Sequence, residues 1–136
     1  MQISLTKRGD YGIRAVLDLA RNADGGRRKT REIAEAMNIP RGFLSQILAT
    51  LAHAELVRAT AGRDGGYVLA RPAGAISLLD VIRAVEGPVG LQQCLLRGIP
   101  CGTSQFCDAH DAWARAQDAL NRELAATTFA DLARRP

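Results

Sequence analysis

The chain has 136 residues, 47% of them hydrophobic but only 4% aromatic, which suits one compact domain, or a small domain with a helical arm, packed by aliphatic side chains. It contains neither the roughly 18 consecutive apolar residues of a membrane-spanning helix nor a signal peptide at its start, so we expect a cytoplasmic protein without a membrane partner. Residues 1–72 carry twelve Lys or Arg against seven Asp or Glu, and this basic half indicates a polyanion partner such as nucleic acid, although an ordinary solvated surface can have the same balance.

The first half of the chain predicts three helices in succession. Apolar residues recur at helical spacing from Lys7 to Asn22, and a turn-rich stretch then leads to a short helix over Arg31 to Met37 with Thr30 as its N-cap. Pro40 suits the first turn of a third helix, which runs to about Ala54. The apolar face of this helix has the spacing i, i+3, i+4 and i+7 and consists of Leu44, Ile47, Leu48 and Leu51.

A hairpin is predicted after the third helix. Leu56 to Thr60 and Tyr67 to Ala70 are short strand candidates, and the segment AGRDGG between them has the glycines and the Asp-Gly step of a tight turn. Helix, short helix, helix and hairpin is the order of a winged helix-turn-helix. The predicted fold class is therefore mostly α, a winged helix-turn-helix with a two-stranded wing.

The outer side of the third helix predicts a surface that reads DNA. Arg41, Ser45 and Gln46 are placed to reach base edges in the major groove, and the small Gly42 lets the backbone approach DNA closely. The alternative is a helix of the core whose outer side is merely solvated. The basic half, the order of elements and the glycine-rich hairpin together favour DNA binding.

The second half of the chain predicts a helix, a loop that contains every cysteine, and a long final helix. Ser77 and Asp80 form a capping-box pattern before a helix that ends at Gly87, and the long helix begins at about Asp108. The predicted inner side of the long helix consists of Trp113, Ala116, Leu120, Leu124 and Thr127. Thr128 and Asp131 form a second capping-box pattern, which predicts a short last helix. The stretch CLLRGIPCGTSQFCDAH lies between the two helices. Three clustered cysteines in a cytoplasmic protein indicate metal binding or a reactive thiol rather than disulfides.

Long stretches of the sequence resemble the IscR/NsrR-type iron–sulfur transcription regulators. They are IPRGFLSQILATLAHAELV, AGRDGGYVLARPAGAISLLDVIRAVEGP and the three cysteines, and the similarity covers nearly the whole chain. The resemblance implies a homodimeric regulator, a repressor rather than an enzyme, that binds a double-stranded operator and takes no small-molecule substrate. We expect a DNA-binding domain over residues 1–74, a linking helix and cluster loop over 75–107, and a dimerisation helix with a tail over 108–136.

Two positions depart from this family. The wing commonly carries an arginine where this chain has Ala61, and Arg58 or Arg63 can take over its contact with the minor groove or phosphates. Ser45 replaces a glutamate of the IscR branch, so the operator of that branch is not carried over. The predicted DNA-binding residues are Arg41, Gly42, Ser45, Gln46, Arg58, Arg63, Gly65 and Gly66.

The resemblance also implies the ligands of an iron–sulfur cluster. Cys94, Cys101, Cys107 and His110 match the Cys3His set of the IscR branch, which holds a 2Fe–2S cluster, although the first gap is one residue longer here. Asp10 is the rival fourth ligand, because it matches an aspartate of the NsrR branch that reaches the 4Fe–4S cluster of the partner subunit. His110 is favoured because it is close to the cysteines in sequence, so 2Fe–2S is preferred to 4Fe–4S.

Three other interpretations of the cysteine loop remain. A structural zinc site of three Cys and one His would make the protein a constitutive DNA binder, but the usual cysteine pairs two to four residues apart are missing. A metal-free thiol switch needs a low-pKa environment that the sequence does not reveal. A Cys–His nucleophile would need an oriented third member, and no motif supplies one.

Overall fold

A computed structural model of the chain describes residues 4–62, 65–87 and 108–136. The helices in these ranges are α1 (Lys7–Arg21), α2 (Thr30–Met37), α3 (Arg41–His53), α4 (Leu78–Glu86), α5 (His110–Ala126) and α6 (Phe129–Ala133). The strands are β1 (Val57–Thr60) and β2 (Gly66–Leu69), which pair antiparallel. The predicted winged helix-turn-helix with a two-stranded wing is confirmed, with element boundaries shifted by one or two residues. None of the described helices is long and apolar enough to cross a membrane.

The hydrophobic core lies around α1, which packs against α2, α3, α4 and α6. The predicted apolar face of α3 is fully buried there, and it consists of Leu44, Ile47, Leu48 and Leu51. Ala15 and Val16 of α1 and Phe129 of α6 are also fully buried. Because one face of α3 is held in this way, its opposite face must point away from the core.

The start of α1 lies unusually close to the end of α4. A Cβ built on Gly12 would be 3.2 Å from Cγ1 of Val85, and one built on Gly9 would clash with the carboxylate of Glu86. That carboxylate accepts hydrogen bonds from the backbone N–H of Thr6, at 2.7 Å, and from the Thr6 hydroxyl. Glu86 therefore fixes the end of α4, just before the cysteine-bearing segment of the sequence, on the first turn of α1.

A third segment joins the wing. The backbone of Arg28 pairs with that of Tyr67 through N–H to O distances of 2.9 and 2.8 Å. The Arg28 guanidinium also forms a bidentate pair with the buried Asp18 of α1, with Nε to Oδ2 at 3.0 Å and Nη2 to Oδ1 at 3.1 Å. The wing is thereby attached to α1 through one residue that provides both a backbone pairing and a charge.

The helix caps confirm two predictions and correct one. Ser77 and Asp80 form the predicted capping box of α4, and Thr128 and Asp131 form one at α6. The prediction of Thr30 as the N-cap of α2 is wrong by one residue. Lys29 is the N-cap, and its backbone N–H donates to Oε1 of Glu32 at 2.9 Å. The Glu32 carboxylate therefore caps the start of α2 by accepting from the backbone N–H three residues earlier, and Thr30 is the first residue of the helix.

The long helix α5 projects from the core. Of its seventeen residues only Gln117 is buried. Trp113, Leu120 and Leu124 are half-buried as predicted, but the predicted Ala116 is exposed and Gln117 takes its place on the inner side. Among the described elements this helix packs mainly against α4, and most of its residues are exposed.

Candidate functional site

The exposed side of α3 carries four of the predicted DNA-binding residues. Arg41, Gly42, Ser45 and Gln46 are all exposed, while the apolar side of the same helix is buried; these four residues are called the reading face below. A Cβ built on Gly42 meets no atom within 4 Å, so the surface beside it is open. This arrangement leaves the first turns of α3 free to approach another molecule closely.

The polar groups of α3 are only partly used within the protein. The Ser45 hydroxyl donates to the carbonyl oxygen of Arg41 at 3.1 Å. Thr50 donates to the carbonyl oxygen of Gln46 at 3.1 Å and accepts from Nη2 of Arg8 at 3.4 Å. Among the described residues the Arg41 side chain has no ion pair or hydrogen bond. Its five N–H donors are therefore available for a ligand.

An aromatic residue beside the reading face was not predicted from the sequence. The Phe43 side chain is 37% exposed, and its ring meets that of Tyr11 edge to face, with centroids 5.5 Å apart and an interplanar angle of 77°. The Arg14 guanidinium lies 5.6 Å from the centroid of the Tyr11 ring. The sequence did contain an indication of this residue. Phe43 falls outside the apolar stripe of α3, so packing of the core does not require an aromatic residue there.

Of the two predicted arginines of the wing, the structure describes Arg58. Arg58 is exposed on β1 opposite Val68, and it lines a cleft of about 370 Å³ together with Leu19 and Arg71. Arg63 lies outside the described residues. Arg58 is therefore at the base of the wing, beside α1, rather than at the turn between the strands.

The two predicted glycines of the wing are explained by backbone contacts. A Cβ on Gly65 would lie 2.6 Å from the carbonyl oxygen of Thr60, and one on Gly66 would lie 2.6 Å from that of Arg28. The turn requires the first glycine and the pairing with the third segment requires the second. Gly65 and Gly66 thus shape the wing whether or not they touch DNA.

Further basic residues lie at the start of α2, the first helix of the helix-turn-helix pair. Arg27, Lys29 and Arg31 are exposed, whereas Arg28 between them is turned inward to Asp18. In helix-turn-helix proteins the first helix crosses the DNA backbone, where such cations contact phosphates. The sequence run RRKTR carried this signal, but only the structure separates the inward arginine from the outward cations.

The cluster ligands proposed from the sequence are only partly within the described residues. Cys94, Cys101 and Cys107 lie outside them, whereas His110 is the exposed first residue of α5. Three thiols and an imidazole are donors that iron–sulfur clusters use, so this set fits such a group chemically. Within the described ranges no three His, Cys, Asp or Glu side chains lie together as a group that could hold a metal ion.

The rival ligand Asp10 already has a partner. Its Oδ2 lies 2.8 Å from Nη2 of Arg14 one helical turn away, and the two side chains are 47% and 40% exposed. Arg14 also donates to the carbonyl oxygen of Met37 at 3.3 Å. Ligation of a metal by Asp10 would require this ion pair to break.

Comparison with known proteins gives the same class of molecule. The family model Rrf2, described as an iron-dependent transcriptional regulator, matches residues 5–135. A helix-turn-helix-type transcriptional regulator of Mycobacterium tuberculosis is 36% identical over 129 residues, which are 95% of this chain and 80% of that protein.

Two solved structures are similar over almost the whole chain. CymR, described as the global cysteine regulator of B. subtilis, is 30% identical with a TM-score of 0.82 and covers 97% of each chain. IscR of T. potens is 29% identical with a TM-score of 0.79 and covers 97% of this chain and 87% of its own. These matches confirm the resemblance found in the sequence and the prediction of a DNA-binding transcription regulator rather than an enzyme.

Proposed function

We propose that this protein, which belongs to the Rrf2 family of transcriptional regulators, acts as a homodimeric repressor. In this proposal α3 enters the major groove of an operator. The observation that carries this proposal is the reading face, an exposed and unobstructed surface on a helix whose other side is locked in the core. Arg41 is suited to bidentate recognition of guanine, and Gln46 to adenine. Arg27, Lys29 and Arg31 would hold the phosphates.

The direct test of the reading face is the substitution Arg41→Ala. If Arg41 reads a base, specific binding weakens by roughly 1–3 kcal/mol and the preference at one base pair is relaxed. Fluorescence anisotropy with an operator selected from a random duplex library measures both quantities. Arg31→Ala is the matched control, because loss of a phosphate contact weakens binding to all sequences alike. Equal losses on all sequences for Arg41→Ala would place that side chain on the backbone instead.

The homodimer proposal is supported by the exposure of α5. Besides having a single buried residue, α5 carries exposed alanines on one side, Ala112, Ala116 and Ala119, at spacings that let a second helix approach closely. Two recognition helices about 34 Å apart would then match successive turns of DNA. Light scattering should give the mass of a dimer, and Ala116→Arg should give a monomer. A monomeric wild-type protein would contradict the proposal.

The sensing part of the proposal rests on the donor set. Cys94, Cys101, Cys107 and His110 would hold a 2Fe–2S cluster, which supplies a redox-active group whose presence depends on iron. The regulator would then respond to iron–sulfur status, redox state or nitric oxide. Because CymR, named for cysteine, and IscR are similar to this chain at nearly the same identity, overall similarity does not select the signal. The three cysteines and the histidine of this chain favour the cluster.

Purification without oxygen tests the ligands. Two irons and two sulfides per subunit are expected, with an absorbance and EPR spectrum that changes in His110→Ala and is unchanged in Asp10→Ala. Four irons, with sensitivity to Asp10→Ala instead, would favour the alternative nitric-oxide sensor with a 4Fe–4S cluster. A colourless protein that contains zinc would contradict the proposed sensing and would favour a constitutive DNA binder with structural zinc.

A further inference from the structure

We propose that Phe43 reads the C5-methyl group of a thymine, which makes it a specificity-determining residue that the sequence pattern did not reveal. The inference rests on the proposed entry of α3 into the major groove. It concerns which base pair the helix selects, and it predicts an operator with a thymine in each half-site that the first turn of α3 contacts.

The position of Phe43 is the first argument. Among the described residues the only large hydrophobic side chains that are exposed are Leu5, at 41%, and Phe43, at 37%. Leu5 precedes α1, whereas Phe43 lies in the first turn of α3, next to Arg41 and Gly42. The buried stripe of α3 is complete without it, because Leu44, Ile47, Leu48 and Leu51 already fill the core. A bulky apolar ring is thus presented at the end of α3 that is expected to meet base edges.

The fixed orientation of the ring is the second argument. The Tyr11 ring meets Phe43 edge to face at 5.5 Å, and the Arg14 guanidinium packs over Tyr11 at 5.6 Å. Arg14 is held in turn by Asp10 at 2.8 Å and by the carbonyl oxygen of Met37 at 3.3 Å. A ring supported in this way loses little freedom when it binds, so its contact contributes more to affinity than that of a mobile side chain.

The chemistry of the major groove identifies the partner. A phenyl ring has no hydrogen-bond donor or acceptor, so it cannot read the polar edges of guanine, cytosine or adenine. The thymine C5-methyl is the apolar group that the major groove displays, and phenylalanine is one of the side chains suited to contact it. Gln46 lies one turn along α3 and has the carboxamide that pairs with adenine, which suits an operator step containing A·T pairs.

The test replaces thymine by deoxyuridine, which lacks only the methyl group. The duplex that the wild-type protein selects from a random library is prepared with one thymine at a time changed to uracil in one half-site. At one position the affinity should fall about fourfold, which is the effect of losing one buried methyl group. If no thymine in the half-site shows this dependence, the inference is wrong, and this result does not depend on the folding of any variant.

Variants then assign the effect to the ring. With Phe43→Ala the ratio between the thymine and uracil duplexes should fall towards one, whereas Leu5→Ala should keep the fourfold ratio. A ratio that persists in Phe43→Ala would assign the methyl contact to another residue and overturn the proposal. An equal loss on both duplexes would place the ring against the sugar–phosphate backbone and would also overturn it. A wild-type protein that selects no sequence from the library would instead contradict the proposed function.

Discussion

Gly42 and Gly66 show that the same residue type has opposite structural roles in this molecule. A Cβ on Gly42 would project into open space, whereas one on Gly66 would lie 2.6 Å from the carbonyl oxygen of Arg28. Neither glycine has a positive φ angle. The reason for glycine must therefore be sought in the neighbours, and at Gly42 the free protein provides none.

We accordingly predict that Gly42→Ala stabilises the free protein and weakens DNA binding. Alanine in a helix is favoured over glycine by about 0.5–1 kcal/mol, so the free energy of unfolding in urea should rise by that amount. The added methyl should keep the helix from its close approach to DNA and lower operator affinity. Gly25→Ala is the control, since its Cβ also meets open space but lies far along the chain from α3. Unchanged affinity in Gly42→Ala would remove the argument for close approach.

The ion pair of Arg28 and Asp18 is the second residue-scale feature with a measurable consequence. The Asp18 side chain is 3% exposed and that of Arg28 is 21% exposed. Hydrogen bonding to Asp18 raises the pKa of Arg28 above its ordinary value, so the cation is present at every accessible pH. Removal of the arginine would leave the carboxylate in the core without a cation.

Arg28→Met should therefore lower the free energy of unfolding by about 3–5 kcal/mol, measured by urea denaturation. The double variant Arg28→Met/Asp18→Leu should be less destabilised than this single variant, because it no longer buries an unpaired charge. Arg27→Met, at the exposed neighbour, should change stability by no more than about 0.5 kcal/mol. A loss below about 1 kcal/mol in Arg28→Met would show that the pair is not important for the attachment of the wing to α1.

At the scale of the elements, the caps of α2 and α6 depend on carboxylates. The hydrogen bond from the Lys29 N–H, together with the nearby cations of Arg28, Lys29 and Arg31, lowers the pKa of Glu32. Hydrogen bonds from Thr128 and the charge of Arg134 lower the pKa of Asp131 in the same way. A carboxyl whose pKa is lower in the folded protein stabilises the fold above its unfolded pKa and loses that effect as the pH falls through its folded pKa.

For Glu32 this window lies below the ordinary pKa of 4.5. We predict that Glu32→Gln lowers stability at pH 7 and that the difference from the wild type is smaller at pH 3, because protonation of Glu32 removes its charge. The measurement is urea unfolding at both pH values. Glu35→Gln on the same helix is the control, because Glu35 makes no ion pair or hydrogen bond in the described part of the chain. A difference for Glu32→Gln that is the same at both pH values would contradict this role of the charge.

The elements also show what could be predicted from the sequence. The stripe of α3 and the capping boxes at Ser77 and Thr128 are patterns within a few residues, and the structure confirms them. The pairing of Arg28 with Tyr67 joins residues far apart in sequence, and no local pattern reports it. The burial of Gln117 in α5, a helix that packs against α4, is a feature of the tertiary structure that periodicity alone does not determine.

At the scale of the whole molecule, the candidate functional residues also divide into those that the sequence predicted and those that only the structure revealed. The exposed positions of the reading face followed from the helical period, because burying one side of α3 exposes the other. The sequence places Phe43 outside the apolar stripe of α3, but its support by Tyr11 and Arg14 depends on how α1 crosses α3, which no local pattern indicates. The ligand assignment of Cys94, Cys101, Cys107 and His110 remains a prediction from the resemblance and from donor chemistry.

The molecule as a whole connects these regions through α4 and α1. Glu86 at the end of α4 binds the first turn of α1, and α1 packs directly on α3. In the sequence the first cysteine, Cys94, follows Glu86 by eight residues, and α5 begins at His110. The described contacts therefore link the end of α4, which precedes the cysteines in the sequence, to the helix that is proposed to read DNA.

The measurement that tests the central claim most directly is the operator affinity of the protein with and without the proposed cluster ligands. The protein purified without oxygen is compared with the variant in which Cys94, Cys101 and Cys107 are all alanine, and circular dichroism verifies that both are folded. We predict that the two forms differ in affinity for at least one selected operator by about tenfold, which corresponds to a coupling free energy of about 1.4 kcal/mol. Equal affinity of the two forms for every selected operator would contradict the account of a regulated DNA-binding protein.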